Sequence, residues 1–228
     1  MTLSVVVPVL DEARRIGAHL AALRNVAGID EIVVVDGGSR DDTLAIVRRV
    51  PGVRALTAPR GRGTQLNAGA RAACGDVLLF LHADAVLPPD AARLVGRALG
   101  EPGVVAGAFR LHTVADGAPR WLAPLLRLAD LRSRVTRLPY GDQAMFVRRD
   151  AFERVGGFPD QPLMEDVELA RRLRRVGRIR IVPGVVRVSG RRFGANPVRA
   201  VLAMRVFPLL YRLGVSPARL ARLYGDPR

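Results

Sequence analysis

An unbroken apolar run that delivers an acidic residue, Val77-Leu-Leu-Phe-Leu81 followed by His82-Ala-Asp84, most constrains how this chain folds. The run lacks polar alternation, so it predicts a strand covered on both faces by helices rather than one washed by solvent on one side. Strands of that kind belong to open α/β sheets, whose ligands bind outside the carboxyl ends of the strands. Asp84 therefore has two readings. It is either a solvated turn residue or a carboxylate placed to hold Mg²⁺ or Mn²⁺ against a phosphate, since hard cations take oxygen ligands and keep part of their water.

Alternation of strands and helices extends the pattern upstream. Residues 3–9 read as a buried strand, 12–23 as a helix with Ile16, Leu20 and Leu23 on one face, 32–35 as a strand, 43–50 as a helix, 53–57 as a strand and 64–73 as a helix. This predicts a mostly parallel central sheet with right-handed crossovers and helices on both faces. The second half is less regular. Residues 104–112 read as a strand running the other way or lying on an edge, 121–138 as a helix, 144–147 as a strand, 150–155 as a short helix and 165–176 as a helix with Leu169, Leu173 and Val176 inward. Residues 179–182 read as the strand that closes the sheet, and 198–213 as a basic, apolar helix interrupted by Pro208.

Composition narrows the class. The chain has 228 residues, of which 49% are hydrophobic, enough for a sizeable core in one domain without a linker. Its start lacks the basic segment and cleavage site of a signal peptide, which predicts a cytoplasmic protein. The single cysteine, Cys74, forms no internal disulfide and reads as a packed structural residue. The formal net charge is +15, all of its basic charge carried by arginine. Genome composition, nucleic acid and an anionic membrane each account for such enrichment. The arginines are spread without aromatic interleaving or a helix-turn-helix pattern, which argues against a nucleic-acid partner. No segment approaches the ~20 uninterrupted apolar residues of a transmembrane helix. Residues 198–213, with 121–138, either lie in a membrane interface and meet a lipid-linked acceptor at the inner face of the membrane, or cover the sheet or form a homodimer contact.

Three predicted strand ends carry polar, conformationally special residues: Pro8-Val-Leu-Asp11-Glu12, Asp36-Gly-Gly-Ser39 and His82-Ala-Asp84. Asp36 before two glycines either accepts a hydrogen bond from a base N–H in the crevice or serves its own turn. Asp41 could simply cap the following helix. Arg60-Gly-Arg62-Gly63 is neither a Walker A sequence nor a Rossmann fingerprint, yet its arginines could grip a diphosphate beside a helix start. The pair Glu165-Asp166 either complements a helix dipole or supplies a general base, the helix N-terminus favouring its ionised form. Tyr140-Gly-Asp142-Gln143 and Gly156-Gly-Phe-Pro159 flank that pair as cavity-shaping loops.

Together these residues resemble the family-2 inverting glycosyltransferases of GT-A fold, in order and spacing over nearly the whole chain. Val7-Pro8 to Glu12 resembles the family's Pro-x-Tyr-Asn-Glu opening, Asp36 to Asp41 its Asp-Asp-Gly-Ser-x-Asp, Gly63-x-x-x-Asn67-x-Gly69 its Gly/Asn helix, and Glu165-Asp166 its catalytic pair. Leu81-His-Ala-Asp84, Tyr140 to Gln143, Leu163 to Asp166 and Ser189-Gly-Arg191-Arg192 further resemble a small bacterial subgroup of glycosyltransferases associated with radical-SAM or selenium-domain proteins. The resemblance implies a single GT-A domain, with residues 1–103 binding a nucleotide-diphosphate sugar, 104–190 forming the acceptor and catalytic half, and 191–228 a basic helical segment.

The resemblance also implies roles. Asp36 would bind the nucleobase, Pro8 and Glu12 line the nucleoside pocket, Asn67 belong to the donor site, and Arg62, Arg191 and Arg192 approach the diphosphate. Asp84 would hold Mn²⁺ or Mg²⁺, Asp166 deprotonate the acceptor hydroxyl, and Glu165 support that geometry. His82 stands where the family's metal motif has its first carboxylate, and either ligates the metal, hydrogen-bonds the donor or packs. The Gln-x-x-Arg-Trp motif of processive synthases is missing, which implies a single transfer. The alternatives are a nucleotidyltransferase, whose glycine-rich loop after the first strand is replaced here by Leu10-Asp-Glu-Ala13, and a catalytically degenerate nucleotide-sugar or lipid-binding protein.

Overall fold

A computed structural model of the chain describes residues 1–114, 116, 130, 139–190 and 206–224. The first half alternates as its pattern predicts: β1 Leu3–Val9, α1 Ala13–Arg24, β2 Glu31–Asp36, α2 Thr43–Arg48, β3 Val53–Thr57, α3 Arg62–Ala72, β4 Val77–Phe80, the short β5 Ala85–Val86, and α4 Ala91–Leu99. There follow β6 Val104–Val114, a 3₁₀ turn at Gly141–Gln143, β7 Phe146–Arg148, α5 Arg149–Arg154, α6 Glu165–Val176, β8 Arg178–Ser189 and α7 Pro217–Tyr224. Residues 206–212 are also helical. Pro208 is helical within that stretch, and residues 198–205 of the predicted helix lie outside the described residues. The predicted helix at 121–138 lies outside the described residues except for Asp130.

The eight strands form one sheet in the order β3-β2-β1-β4-β7-β6-β8-β5. The first four are parallel, and the order reverses direction between β1 and β4, which places a crevice outside their carboxyl ends. β7 is antiparallel to both β4 and β6. Hence β6 runs with the parallel block and lies inside the sheet, not reversed or on an edge as its sequence suggested. The reversal belongs to the three-residue β7.

β8 is longer than predicted because its pairing with β6 slips between Phe109 and Arg110, letting Pro183 and Gly184 bulge before the ladder resumes at Val185. A Cβ on Gly184 would lie 2.5 Å from Leu94 Cδ1, so the bulge is fitted tightly to α4. The sheet is closed at that edge not by residues 179–182 but by β5, antiparallel to β8.

The period of two along β1 divides the core. Leu3, Val5, Val7 and Val9 pack with Ile16 and Leu20 of α1 and Leu94 and Val95 of α4, whereas Val6 packs on the other face with Leu66 of α3 and Leu169 and Leu173 of α6. Both faces are covered, which is why the strands read as continuous apolar runs. Cys74 departs from expectation. Its side chain is exposed just beyond α3, where its backbone N–H donates to Glu31 Oε2 at 2.7 Å, so it is not a packing residue.

α3 sits directly on β1 and β2 because position 69 has no side chain. A Cβ there would approach Val6 Cγ1 to 2.3 Å and Val35 Cγ2 to 2.9 Å. We expect Gly69→Ala to lower stability by about 1–3 kcal/mol through overpacking. A lowered urea midpoint, partly restored by adding Val6→Ala, is the expected outcome; an unchanged midpoint would show that α3 is free to lift off the sheet.

Candidate active site

The loops after β1 and β2 are fastened to each other by their own polar residues. Ser39 Oγ accepts the Asp11 N–H at 2.9 Å, Asp11 Oδ1 accepts the Arg40 N–H at 2.7 Å, and Thr43 Oγ1 accepts the Glu12 N–H at 2.7 Å. Asp41 bridges two helix starts. Its Oδ2 accepts the Ala13 N–H at 3.0 Å and its Oδ1 accepts the Thr43 N–H at 3.0 Å, satisfying orphan donors of α1 and α2. Loss of hydration works against the charge on this carboxylate, but the Thr43 hydroxyl and these backbone N–H donors together hold its pKa below the usual value.

Asp36 is buried at the end of β2, and its carboxylate turns back on its own loop. Oδ2 accepts the N–H groups of Gly38 and Ser39, both at 3.0 Å, and Oδ1 accepts the Ser39 hydroxyl. Gln65, to which the sequence reading gave no role, ties the strand ends together. Its buried amide donates to Val9 O at 2.9 Å and Val35 O at 2.8 Å. A Cβ on Gly37 would lie 2.8 Å from Gln65 Oε1, so the glycine makes room for this amide.

A second set of contacts joins α3 to the loop before α6. Asn67 donates to Phe158 O and accepts from Phe158 N, both at 2.9 Å. This reciprocal pair requires Gly156 and Gly157, both at positive φ, and a Cβ on Gly157 would stand 2.7 Å from Asn67 Oδ1. Arg62 Nε donates to Glu165 Oε1. Burial disfavours the guanidinium charge, but Glu165, Asp166 and Asp142 overcome that penalty and raise its pKa above the ordinary arginine value. Asn67 and Arg62 thus act on the protein itself at these contacts.

α6 begins after Met164, whose φ of 65° is left-handed, and projects Glu165 and Asp166 from its first turn. Glu165 is 2% exposed and Asp166 8%. Asp166 Oδ2 accepts the Gly141 N–H at 2.6 Å and Oδ1 accepts the Val167 N–H at 2.8 Å, which fixes the carboxylate at a helix N-terminus favourable to negative charge. Gly141 belongs to a turn pinned by the buried Gln143, which donates to Phe109 O at 3.0 Å and accepts from Tyr140 N at 3.1 Å. A Cβ on Gly141 would lie 3.1 Å from Asp166 Oδ2 and 3.4 Å from His82 Nε2. The imidazole and the carboxylate therefore flank one bare backbone position.

These contacts bring Arg62, His82, Gly141, Glu165 and Asp166 into one cleft floored by Leu66, Phe80, Met145 and Phe158. Phe158 packs edge-on against Phe80, with ring centroids 4.8 Å apart. Pro8, Glu12 and Asp36 stand apart from that cleft, at the ends of β1 and β2. Asp84 does not line it either. Its charge acts on His19 of α1, whose Nε2 is buried without a hydrogen-bond partner among the described residues. Arg191 and Arg192 lie outside the described residues.

No group of three or more His, Cys, Asp and Glu is placed to hold a metal ion among the described residues. One carboxylate and one imidazole, Asp84 and His82, are not a closed protein cage. They offer the imidazole nitrogen and carboxylate oxygens that a divalent cation accepts beside diphosphate oxygens and water, but of the two only His82 lines the cleft.

A sheet of this order with a cleft at its carboxyl edge, closed by a helix bearing two acidic residues, is a GT-A fold. The family model for glycosyl transferase family 2 matches residues 4–156, and the chain belongs to that family. An undecaprenyl-phosphate 4-deoxy-4-formamido-L-arabinose transferase of Pseudomonas savastanoi is 32% identical over 160 residues, 64% of this chain and 47% of the relative. A glucosyl-3-phosphoglycerate synthase of Mycolicibacterium smegmatis is 29% identical over 131 residues, 51% of this chain and 43% of the relative. Each match spans less than half of its relative's length. Among solved structures, a Pyrobaculum calidifontis mannosyltransferase in complex with GDP-Man and Mn²⁺ superposes with a TM-score of 0.72 at 24% identity, covering 97% of this chain and 67% of that one.

His19 supplies a pH test of the packing of α1 against β5, where it lies beside Ala85, Val86 and Leu87. Burial lowers its pKa from 6.5 to about 4, against the opposing pull of Asp84. The unfolded chain then binds the proton more readily, so this stabilisation is complete above pH 6.5 and is lost as pH falls through 4. We expect acid denaturation in that window to be delayed in His19→Gln by up to roughly 2–3 kcal/mol. Parallel denaturation profiles of the two proteins from neutral pH downward would sink the assignment.

Proposed function

We propose that this chain is an inverting glycosyltransferase that moves a sugar from a nucleoside-diphosphate donor to an acceptor hydroxyl, with Asp166 as general base. The observation that carries this reading is the Asp166 carboxylate, nearly buried, held by two backbone N–H groups at a helix N-terminus and set beside His82 and Arg62 in one cleft. Each carboxylate oxygen accepts more than one hydrogen bond, so the contacts from Gly141 and Val167 leave capacity for a substrate proton.

In this reading the acceptor hydroxyl gives its proton to Asp166 as its oxygen attacks the anomeric carbon. The bond from that carbon to the diphosphate oxygen breaks with its electron pair staying on the diphosphate, and in-line attack inverts the configuration. Preorganisation of the base by fixed backbone donors removes the need to reorient it during the reaction. Glu165, paired with Arg62, keeps a cation at a set position in the cleft and holds the first turn of α6 against α3. Pro8, Glu12 and Asp36 form the nucleoside side of the donor site. There Asp36 contributes a carboxylate already oriented by Gly38 and Ser39.

Asp84 and His82 would hold Mn²⁺ or Mg²⁺, which when bound offsets the charge of the leaving diphosphate. The Pyrobaculum mannosyltransferase with GDP-Man and Mn²⁺ supports that cofactor class, and the undecaprenyl-phosphate transferase supports a lipid-linked acceptor among the options. We assign residues 1–103 to donor binding and 104–190 to the acceptor and catalytic half. The correspondence of Leu81 to Asp84 and Tyr140 to Gln143 with the radical-SAM-associated subgroup supports placing the chain there.

The test is a panel of nucleoside diphosphates and nucleotide sugars scored by thermal shift with and without Mn²⁺. Stabilisation by one class should depend on the metal and disappear in Asp84→Ala. Once a donor is found, Asp166→Asn should lower turnover by about 10²–10⁴-fold while donor binding persists. Turnover equal to the parent would remove Asp166 as the base.

A further inference from the structure

The helical residues 206–212 have two distinct faces. Tyr211 points inward, its hydroxyl donating to Glu168 Oε2 at 3.1 Å, and Pro208 on the same side is buried. Glu168 is itself in the first turn of α6, two residues beyond Asp166, and is also gripped by Arg171 and Arg172, each through Nε at 3.1 Å. The helix is therefore seated on the element that carries the proposed base.

Its outer face is apolar. Val206, Leu209 and the following Leu213 recur at i, i+3 and i+7, which at 3.6 residues per turn places them in one stripe roughly opposite Pro208 and Tyr211. Leu209 is 56% exposed and Leu213 73%, among the largest exposures of hydrophobic side chains in the described chain. Arg212 flanks the stripe, and exposed Arg219 and Arg222 follow on α7. Among residues 206–224 there is no Asp or Glu.

We propose that this face docks on an anionic membrane surface, with Val206, Leu209 and Leu213 entering the interface and Arg212, Arg219 and Arg222 meeting lipid phosphates. An apolar stripe with arginines beside it and no acidic residue fits that partner. A second copy of this chain is the less suited occupant, because facing copies would oppose arginine to arginine. No helix among the described residues is long and apolar enough to cross a membrane, so attachment is peripheral. Through Tyr211 and Glu168 the docked helix would set the cleft, and with it the acceptor side of α6, close to the bilayer.

The experiment is co-sedimentation of the full chain with vesicles of phosphatidylcholine alone or mixed with phosphatidylglycerol, beside its mass in solution by light scattering. Binding should require the anionic lipid, weaken as salt rises, and fall about tenfold or more in Leu209→Asp/Leu213→Asp. Both leucines are exposed, so the variant should keep the parent's melting temperature, and a circular dichroism melt checks this. Arg219→Gln/Arg222→Gln provides a second variant that removes charge but not apolar area. No binding by the parent, or equal binding by parent and both variants, overturns the proposal. A dimer that the leucine variant converts to monomer without parent vesicle binding overturns it in favour of a second copy. None of these readouts depends on the donor, so the assignment of Asp166 stands or falls separately.

Discussion

The missing side chain at position 69 governs how the two halves of this molecule meet. Because Gly69 lets α3 lie flat on Val6 and Val35, polar residues in the two turns before it come within hydrogen-bond reach of their partners. Gln65 reaches the last carbonyls of β1 and β2, Asn67 reaches the Phe158 backbone, and Arg62 reaches Glu165. At the far end of the helix, Arg149 donates to Ala70 O, Ala73 O and Gly75 O at 2.8–3.1 Å, taking up carbonyls that a helix C-terminus leaves without partners. Lifting α3 by the width of a methyl group would strain all four connections together. The cleft is thus a consequence of backbone approach first and of charged side chains second.

That dependence gives the paired carboxylates their environment. Glu165 is almost fully buried, which would be costly for an isolated charge, and it is tolerated because Arg62 meets it in charge-assisted contact. The same guanidinium acts on Asp166 and Asp142, so one cation serves three carboxylates. Asp166 is supported differently: the Gly141 and Val167 N–H groups hold its oxygens directly, while Arg62, whose own contact is with Glu165, acts on it only through its field. A group held by neutral donors can change its proton occupancy without leaving an unpaired cation behind. The contrast between a paired Glu165 and a backbone-held Asp166 is the physical reason the proposal gives the proton-transfer role to the second.

What the sequence disclosed follows from the kind of contact involved. Parallel strands buried on both faces announce themselves as apolar runs, and α6 announces itself by the spacing of Leu169 and Leu173. Motif residues at strand ends were recognisable as a set, but of that set only His82 lines the cleft with Arg62, Glu165 and Asp166, whereas Pro8, Glu12, Asp36 and Asp84 stand outside it. Gln65 was not, because its acceptors are the carbonyls of Val9 and Val35, and a carbonyl has no residue identity to recognise. The direction of β6 was hidden by β7, since three residues suffice to reverse the sheet. The length of β8 was hidden by Pro183 and Gly184, which read as a strand end but form a bulge. His19 falls one residue before Leu20 of the buried stripe, and nothing in that spacing reveals the proximity of Asp84.

The arginine content also changes meaning once its partners are visible. Composition left genome bias, nucleic acid and membrane as competing causes, yet several arginines have structural tasks that a lysine would perform poorly. Arg149 spans three carbonyls at once, Arg148 reaches Leu99 O and Val104 O, and Arg54 reaches Ala72 O. A planar fork with five donors can serve separate acceptors simultaneously, whereas an ammonium is a compact and strongly hydrated charge. These residues are clamps, and their charge is incidental to any partner. Arg171, Arg174 and Arg175 on the outer face of α6, with Arg212, Arg219 and Arg222, are exposed instead. An attraction to anionic surfaces must therefore be ascribed to that exposed subset and its placement beside Leu209 and Leu213, not to the total charge of the chain.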